Sequence, residues 1–292
     1  MSDFRKILCV IDPTVTSQPA MHRAAWLAER TGAKLELLVC FYNQYISGHR
    51  FFDAPSMQKT RRELIDGYKD HLEELALPLR ENGISFETAA EWDHPLHEGI
   101  VRYACATGAD LVLKDTHHHS VFDLSTLSNT DWNLIRTCPV PIWFVKPREL
   151  PEQLHIVAAV DPLNIHDKPA ALDDEIITTS QFIGAKIGAD VHVFHAFDPR
   201  FSVPTSQSSV LMSLPVDEIA QQVRSLHESR FKEVTENYDF TEDRTHLVAG
   251  LVQEELPSLA QELDAALVVI GAVSRNKLKR IFIGATAERT LD

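Results

Sequence analysis

Short apolar runs recur along the chain with little internal alternation, and segments of helical period separate them. In the first half the runs are Ile7–Ile11, Leu35–Phe41, Ser85–Ala90, Leu111–Lys114 and Pro141–Val145. Unbroken apolar character is the mark of a strand buried on both faces. Between the runs, Ala20–Thr31, Ser56–Glu81, Leu96–Thr107 and Ser128–Thr137 read as helices. Gly32 stops the first of these and "NG" stops the long one, since glycine takes the left-handed conformation that ends a helix. Strands alternating with helices predict an α/β fold with a mostly parallel sheet, covered by helices on both sides.

The second half repeats the first. "KILCVIDP" (Lys6–Pro13) returns as "HIVAAVDP" (His155–Pro162), an apolar run closed by Asp-Pro. "TGAKLELLVCF" (Thr31–Phe41) returns as "IGADVHVFHAF" (Ile187–Phe197), and "GADLVLKDTHHHS" (Gly108–Ser120) as "DAALVVIGAVSRN" (Asp264–Asn276). From Gly32 and Gly188 onward the offset stays at 156, so Asp110 matches Ala266, Asp115 matches Gly271 and Thr130 matches Thr286. A repeat of this length is a duplicated domain, not a solenoid unit. The polar linker "KPRELPEQ" (Lys146–Gln153) marks the boundary, which gives a first domain over residues 1–148 and a second over 153–292. The fold class is therefore two tandem doubly wound domains, each with a mostly parallel five-stranded sheet of Rossmann-like type. Unit two is short of its last strand in the sequence at hand: at the same offset Arg136 corresponds to Asp292. Either the chain continues, or the matching edge of unit one finds another partner.

Composition narrows the function. A formal net charge of −14 disfavours nucleic acid and anionic membranes as partners. Cys9, Cys40, Cys105 and Cys138 are widely spaced, without a C-x-x-C, so a disulfide framework is not expected. The opening "MSDFRKILCVID" lacks signal-peptide features, and no apolar run has the ~20 residues of a membrane span. A cytoplasmic protein is expected.

In a doubly wound sheet, ligands sit at the carboxyl ends of the strands. Three features fall there in each unit: the acid after the first strand (Asp12 or Asp161), the end of the second strand, and the loop after the fourth. In unit two that loop is "IGAVSRNKLKRIFIGATAE" (Ile270–Glu288), bracketed by Gly271 and Gly284. Glycines there let backbone N–H groups approach a phosphate, and a helix starting near Gly284 points its positive end at it.

These features together resemble the universal stress protein domain. The Asp after the first strand, the long second helix and a loop of the form G-x2-G-x9-G-[S/T] carry the resemblance. "DLVLK", "TDW" and "CPVPIWFVK" add a likeness to the tandem, E-type bacterial members. The resemblance implies ATP, with Mg²⁺, held at the loop, and adenine contacted by the first Asp. Carried over to unit two, the candidate site is Asp161, Gly271, Ser274, Gly284, Ala285 and Thr286. Ser274 adds a Cβ and Ala285 lacks the phosphate-binding hydroxyl. In unit one the loop positions fall on Asp115, His118, Ser128 and Asn129, with no glycine left. Asp115 puts a carboxylate where a phosphate belongs, and like charges repel. Unit one is expected not to bind ATP in the family manner, and His117, His118 and His119 occupy the place of its lost loop.

The remaining features have plain alternatives. Three consecutive histidines on an extended segment diverge, so a polar loop outweighs a metal site supplemented by Asp115 and Asp123. "SRNKLKR" (Ser274–Arg280) is a solvated basic face, or an anion site beside the two glycines, or, last, a nucleic-acid contact. Asp12 and Asp161 lack a partnered nucleophile or base, so no catalytic residue is assigned, and Asp-Pro is also a turn starter. Trp92, Trp132 and Trp143 are packing residues by default. Phe51, Phe52 and Phe201, in long segments after the second strand of each unit, would cover a small-molecule pocket or pack on a neighbour.

The expected function is a stress-response binding or signalling module without its own reaction. An ATP-binding domain with slow hydrolysis in unit two, and a ligand-free scaffold, stay open beside it. Expected partners are the two domains for each other as a pseudo-dimer, a second copy of the chain, and a protein or small ligand whose identity the residues do not fix.

Overall fold

The computed structural model describes residues 4–46, 55–116, 127–163, 172–198 and 216–272. The chain divides into two compact units, Ser2–Glu149 and Leu150–Leu291. Unit one runs β1 (Lys6–Val10), α1 (Pro19–Thr31), β2 (Lys34–Phe41), α2 (Pro55–Leu75), α3 (Leu77–Glu81), β3 (Phe86–Trp92), α4 (Leu96–Thr107), β4 (Leu111–Asp115), α5 (Asn129–Thr137) and β5 (Ile142–Val145). Its five strands lie in the order β3-β2-β1-β4-β5, and every pairing is parallel. The order turns back between β1 and β4, which opens a crevice at their carboxyl ends.

Residues from both faces of the strands are buried. Leu8, Val10, Leu38 and Val112 join Ile100 of α4 and Leu134 of α5 in one cluster. Ile7, Cys9, Leu37 and Leu113, alternating with them, are fully buried as well. A sheet covered on both sides has no polar face to display, which is why the strands lack alternation. Gly32 and Gly108 close α1 and α4 with φ of 73° and 67°.

The long helix expected over Ser56–Glu81 is instead two helices, α2 and α3, broken at Ala76. Pro78 explains the break. Its ring would clash with the carbonyl four residues back, so the chain re-starts as α3 with proline in its first turn.

Unit two runs β6 (His155–Ala159), α6 (Leu172–Ile187), β7 (Asp190–Phe197), α7 (Val216–Thr235), β8 (Thr245–Ala249), α8 (Val252–Glu262) and β9 (Leu267–Ile270), with a 3-10 turn at Glu242–Arg244 before β8. Its order is β8-β7-β6-β9, again all parallel. Among the described residues this sheet has four strands. The two registers agree strand for strand: Lys6 pairs with Lys34 as His155 pairs with Asp190. Among the described residues no helix is long and apolar enough to cross a membrane.

Candidate functional site

In both units the crevice lies between the first strand and the fourth, β1 and β4 or β6 and β9. In unit one it is filled from within. Asp115 is the last residue of β4, not a loop residue, and is 7% exposed. Its Oδ1 accepts the Ala20 N–H at 2.6 Å. That N–H belongs to the first turn of α1, where helix donors have no intrahelical acceptor. The carboxylate therefore caps the donor that an anionic ligand would meet. Oδ2 has no hydrogen-bond partner among the described residues. Burial, with the Asp12 charge adding to it, pushes the Asp115 carboxyl up to about 6. Burial also pushes the neighbouring Cys9 thiol well up, and Asp115 reinforces it.

The other wall of the crevice is clamped. Lys114 Nζ lies 3.0 Å from Asp131 Oδ1, with both side chains buried, and donates to the Asp115 carbonyl at 3.1 Å. Asp131 Oδ2 accepts from the Ser128 N–H and Oγ, each at 2.8 Å. The Asp131 N–H in turn donates to Ser128 Oγ at 3.2 Å. Ser128 is thus the N-cap of α5 in a reciprocal capping box, and the helix starts at Asn129, one residue after the start expected at Ser128. The loop between β1 and α1 is held too. Gln18, 3% exposed, donates to the carbonyls of Asp12 and Val15. Asp12 Oδ1 accepts the Thr14 N–H and hydroxyl at 2.8 and 2.6 Å, the turn-starting role that Asp-Pro favours.

Unit two is built differently at the same places. Gly271 stands where Asp115 does. A Cβ there would meet Leu172 Cδ2 at 2.7 Å and Ile176 Cδ1 at 3.2 Å, so apolar side chains of α6 press on the bare backbone. Ile270 replaces Lys114. Asp161, half-buried, donates its N–H to Asp173 Oδ1 at 3.0 Å. Its side chain follows the β6 end, while Gly271 follows β9, so the register brings these two candidate residues to opposite lips of one crevice. Ser274, Gly284, Ala285 and Thr286 lie outside the described residues. So do His117, His118, His119 and Asp123, and the apolar segments with Phe51, Phe52 and Phe201.

A concavity of about 270 Å³ opens beside the Asp161 turn, lined by Pro162, Asp173, Asp174, Arg230, Glu233 and Asn237 among others. Three carboxylates against one guanidinium give it the wrong sign for a phosphate. Deeper in, His195 of β7 and His227 of α7 are buried and meet at 2.7 Å, Nε2 to Nδ1. His195 Nδ1 sits 3.1 Å from the Val160 carbonyl, which can only accept. In the neutral pair His195 therefore donates to Val160 and His227 donates to His195. Burial holds both rings below the ordinary imidazole range, against an upward pull from the Asp161 charge. Residue-type patterns do not reveal this pair, nor the Lys114–Asp131 clamp. A lysine closing the apolar run "DLVLK" was the available signal for the clamp. The described residues contain no group of three or more His, Cys, Asp or Glu arranged to hold a metal ion.

Comparison with known proteins fits this doubled geometry. The model of the universal stress protein family matches residues 3–146 and again 155–292. The chain belongs to the universal stress protein family. Universal stress protein E of Escherichia coli K12 is 27% identical over the whole chain and 92% of its own length. The homologue from Haemophilus influenzae is 22% identical, over 99% of this chain and 94% of that one. Among solved structures, a protein of unknown function from Pseudomonas aeruginosa PAO1 matches 99% of the chain and 89% of its own, at 29% identity and a TM-score of 0.68. A universal stress protein from Archaeoglobus fulgidus shares the fold at 15% identity and a TM-score of 0.59. The tandem arrangement and the stress-response family expected from the motifs both stand.

Proposed function

We propose that this universal stress protein is a non-catalytic binding module in which unit two alone receives a nucleotide-like, anionic ligand. The observation that supports the reading is the exchange of Asp115 for Gly271 at equivalent ends of β4 and β9. In unit one a buried carboxylate already takes the α1 donor and Lys114 is committed to Asp131. A phosphate would face a negative charge there. In unit two the same position is a glycine that brings no carboxylate of its own, beside Asp161, and the nearby Asp173 is engaged by the Asp161 N–H. ATP with Mg²⁺ is the ligand to test, with Asp161 facing the base and Gly271, Ser274, Gly284, Ala285 and Thr286 around the phosphates. No described nucleophile or general base faces the Asp161 turn in a paired arrangement, other than the buried His195–His227 contact. Slow hydrolysis therefore remains the second reading, favoured by that contact alone. The four free thiols fit a reducing, cytoplasmic setting.

Calorimetric titration of the full chain with Mg-ATP tests this, repeated on Gly271→Asp, which copies the unit-one residue. The expected result is one site per chain with micromolar affinity, weakened at least about tenfold by the variant through charge repulsion beyond the loss in a Gly271→Ala control, which carries the Cβ that meets Leu172. Two equivalent sites, or binding untouched by Gly271→Asp in a protein that melts normally, would overturn the reading.

A further inference from the structure

Unit two carries three histidines in series, away from the carboxyl-end crevice. His155 Nδ1 lies 3.0 Å from His192 Nε2, and His192 Nδ1 lies 3.0 Å from His246 Nε2. The rings tilt at 59° and 31° to one another. Each histidine comes from a different strand. His155 opens β6, His192 is the third residue of β7, and His246 is the second of β8. All three stand near the amino ends of their strands, the opposite edge of the sheet from Asp161 and Gly271.

His192 uses a different nitrogen for each neighbour. The rings therefore form a chain instead of converging on one point, which suits protons and not a single metal ion. Three neutral imidazoles hold three N–H protons. Two of these sit in the two N···N contacts and one on an outer nitrogen, His155 Nε2 or His246 Nδ1. One extra proton fits, because both outer nitrogens can then carry hydrogen. A second extra proton must place two N–H groups head to head across a 3.0 Å contact.

Unit one has an ion pair at the matching places. There Lys6 replaces His155 and Glu36 replaces His192, forming a 2.7 Å ion pair. Tyr103 donates to the other Glu36 oxygen at 2.6 Å.

We propose that the His155–His192–His246 chain makes unit two an acid-sensitive element. It accepts one proton as a unit with its hydrogen bonds intact, and a second breaks the chain and releases β6, β7 and β8 from one another. The unfolded strands can take three protons where the folded chain takes one, so acid favours opening. The charges around the chain come from every side. Asp190 of β7 is paired with Arg244 of the 3-10 turn at 2.6 Å. Asp243 of the same turn and Glu262 of α8 face His246. The carboxylates favour a charged ring, and Arg244 opposes one at His192. Burial decides between them: it is the largest influence on His192, which it pushes down to about 4, and on His246, which it lowers.

Hydrogen exchange by mass spectrometry on the full chain, at pH 7.5 and 5.0 with intrinsic rates corrected, reads this directly. Peptides covering β6–β8 should lose at least about 30-fold in protection at pH 5.0, the factor that His192 alone supplies with a folded pKa of about 4 against 6.5 unfolded. The β1–β3 peptides serve as the internal reference and should not lose protection. The variant His155→Lys/His192→Glu/His246→Ala, built on the unit-one pattern, should keep β6–β8 protected at pH 5.0. Unchanged wild-type protection at pH 5.0, or equal loss in the variant, would overturn the proposal. Should the variant not fold at pH 7.5, histidine ring resonances of the wild type decide. Three rings moving together in one step below pH 6.5 support the chain, and independent titration near 6.5 sinks it.

Discussion

The two units share a sheet register and differ in where they keep charge. Unit one holds ion pairs and a buried acid: Lys114 against Asp131, Lys6 against Glu36, and Asp115 at the head of α1. Unit two puts neutral or titratable groups at the matching places: Ile270, His155, His192 and Gly271. The scaffold tolerates both because strand pairing and apolar packing carry it, leaving polar positions free to specialise. An internally paired ion shuts a crevice without waiting on a ligand, and the buried Asp115 carboxylate shuts it while still answering to pH. A bare glycine or an imidazole chain leaves something for a ligand or a proton to do.

The clamp in unit one gives the sharpest way to break this contrast. Lys114→Ile brings in the unit-two residue and strands Asp131, whose side chain is fully buried. Removing one partner of a buried ion pair costs about 3–5 kcal/mol. Denaturant unfolding followed in unit one should show that loss. Adding Asp131→Ala, also the unit-two residue, should recover most of it, less the capping box. A Lys114→Ile protein as stable as the parent would mean the pair is not what closes the crevice.

The next effect is a divergence with pH. Asp115 has its folded pKa raised, to about 6 from 3.8. A raised group contributes stability below its unfolded pKa and loses it as pH rises through the folded value. Unit one should therefore gain stability as pH falls from about 6 to 4, by about 2 kcal/mol. His192 is lowered instead, so its contribution is full above pH 6.5 and fades as pH falls toward about 4. Unit two should weaken over nearly the window in which unit one strengthens. Asp93, held below the usual carboxylate range by Arg102, loses its contribution only as pH falls below about 4, outside that window. Separate melting of the two units at pH 7 and 5 tests the divergence. Asp115→Asn should flatten the unit-one limb while leaving the unit-two limb as it was.

The sequence made some of this visible. Gly32, the paired Asp-Pro turns and the constant offset follow from local rules and duplication, so strands, helices and the likeness of the units could be read directly. Asp115 was visible as the wrong charge in a phosphate loop, but not as a cap on α1, because the Ala20 N–H is 95 residues away. The histidine chain had no motif, since its members span three strands and only the parallel register joins them. The signal that could have found it lay in the duplication: at the position of each charged partner in unit one, Lys6 and Glu36, unit two has histidine.

The smallest effect concerns how the clamp and the helix share Ser128. Its Oγ accepts the Asp131 N–H as the α5 cap and also donates to Asp131 Oδ2. Ser128→Ala removes both and should cost about 1 kcal/mol, whereas Ser128→Gly, the unit-two residue, should cost only a few tenths if capping is all that Ser128 does. In both variants the Ser128 backbone N–H still reaches Asp131 Oδ2, so the carboxylate is not left bare. A glycine variant that loses as much as the alanine one would show that the hydroxyl acts mainly on Asp131, holding it toward Lys114. The cap would then belong to the charge clamp and not to the helix, and closure of the unit-one crevice would rest on three residues, Lys114, Ser128 and Asp131, acting together.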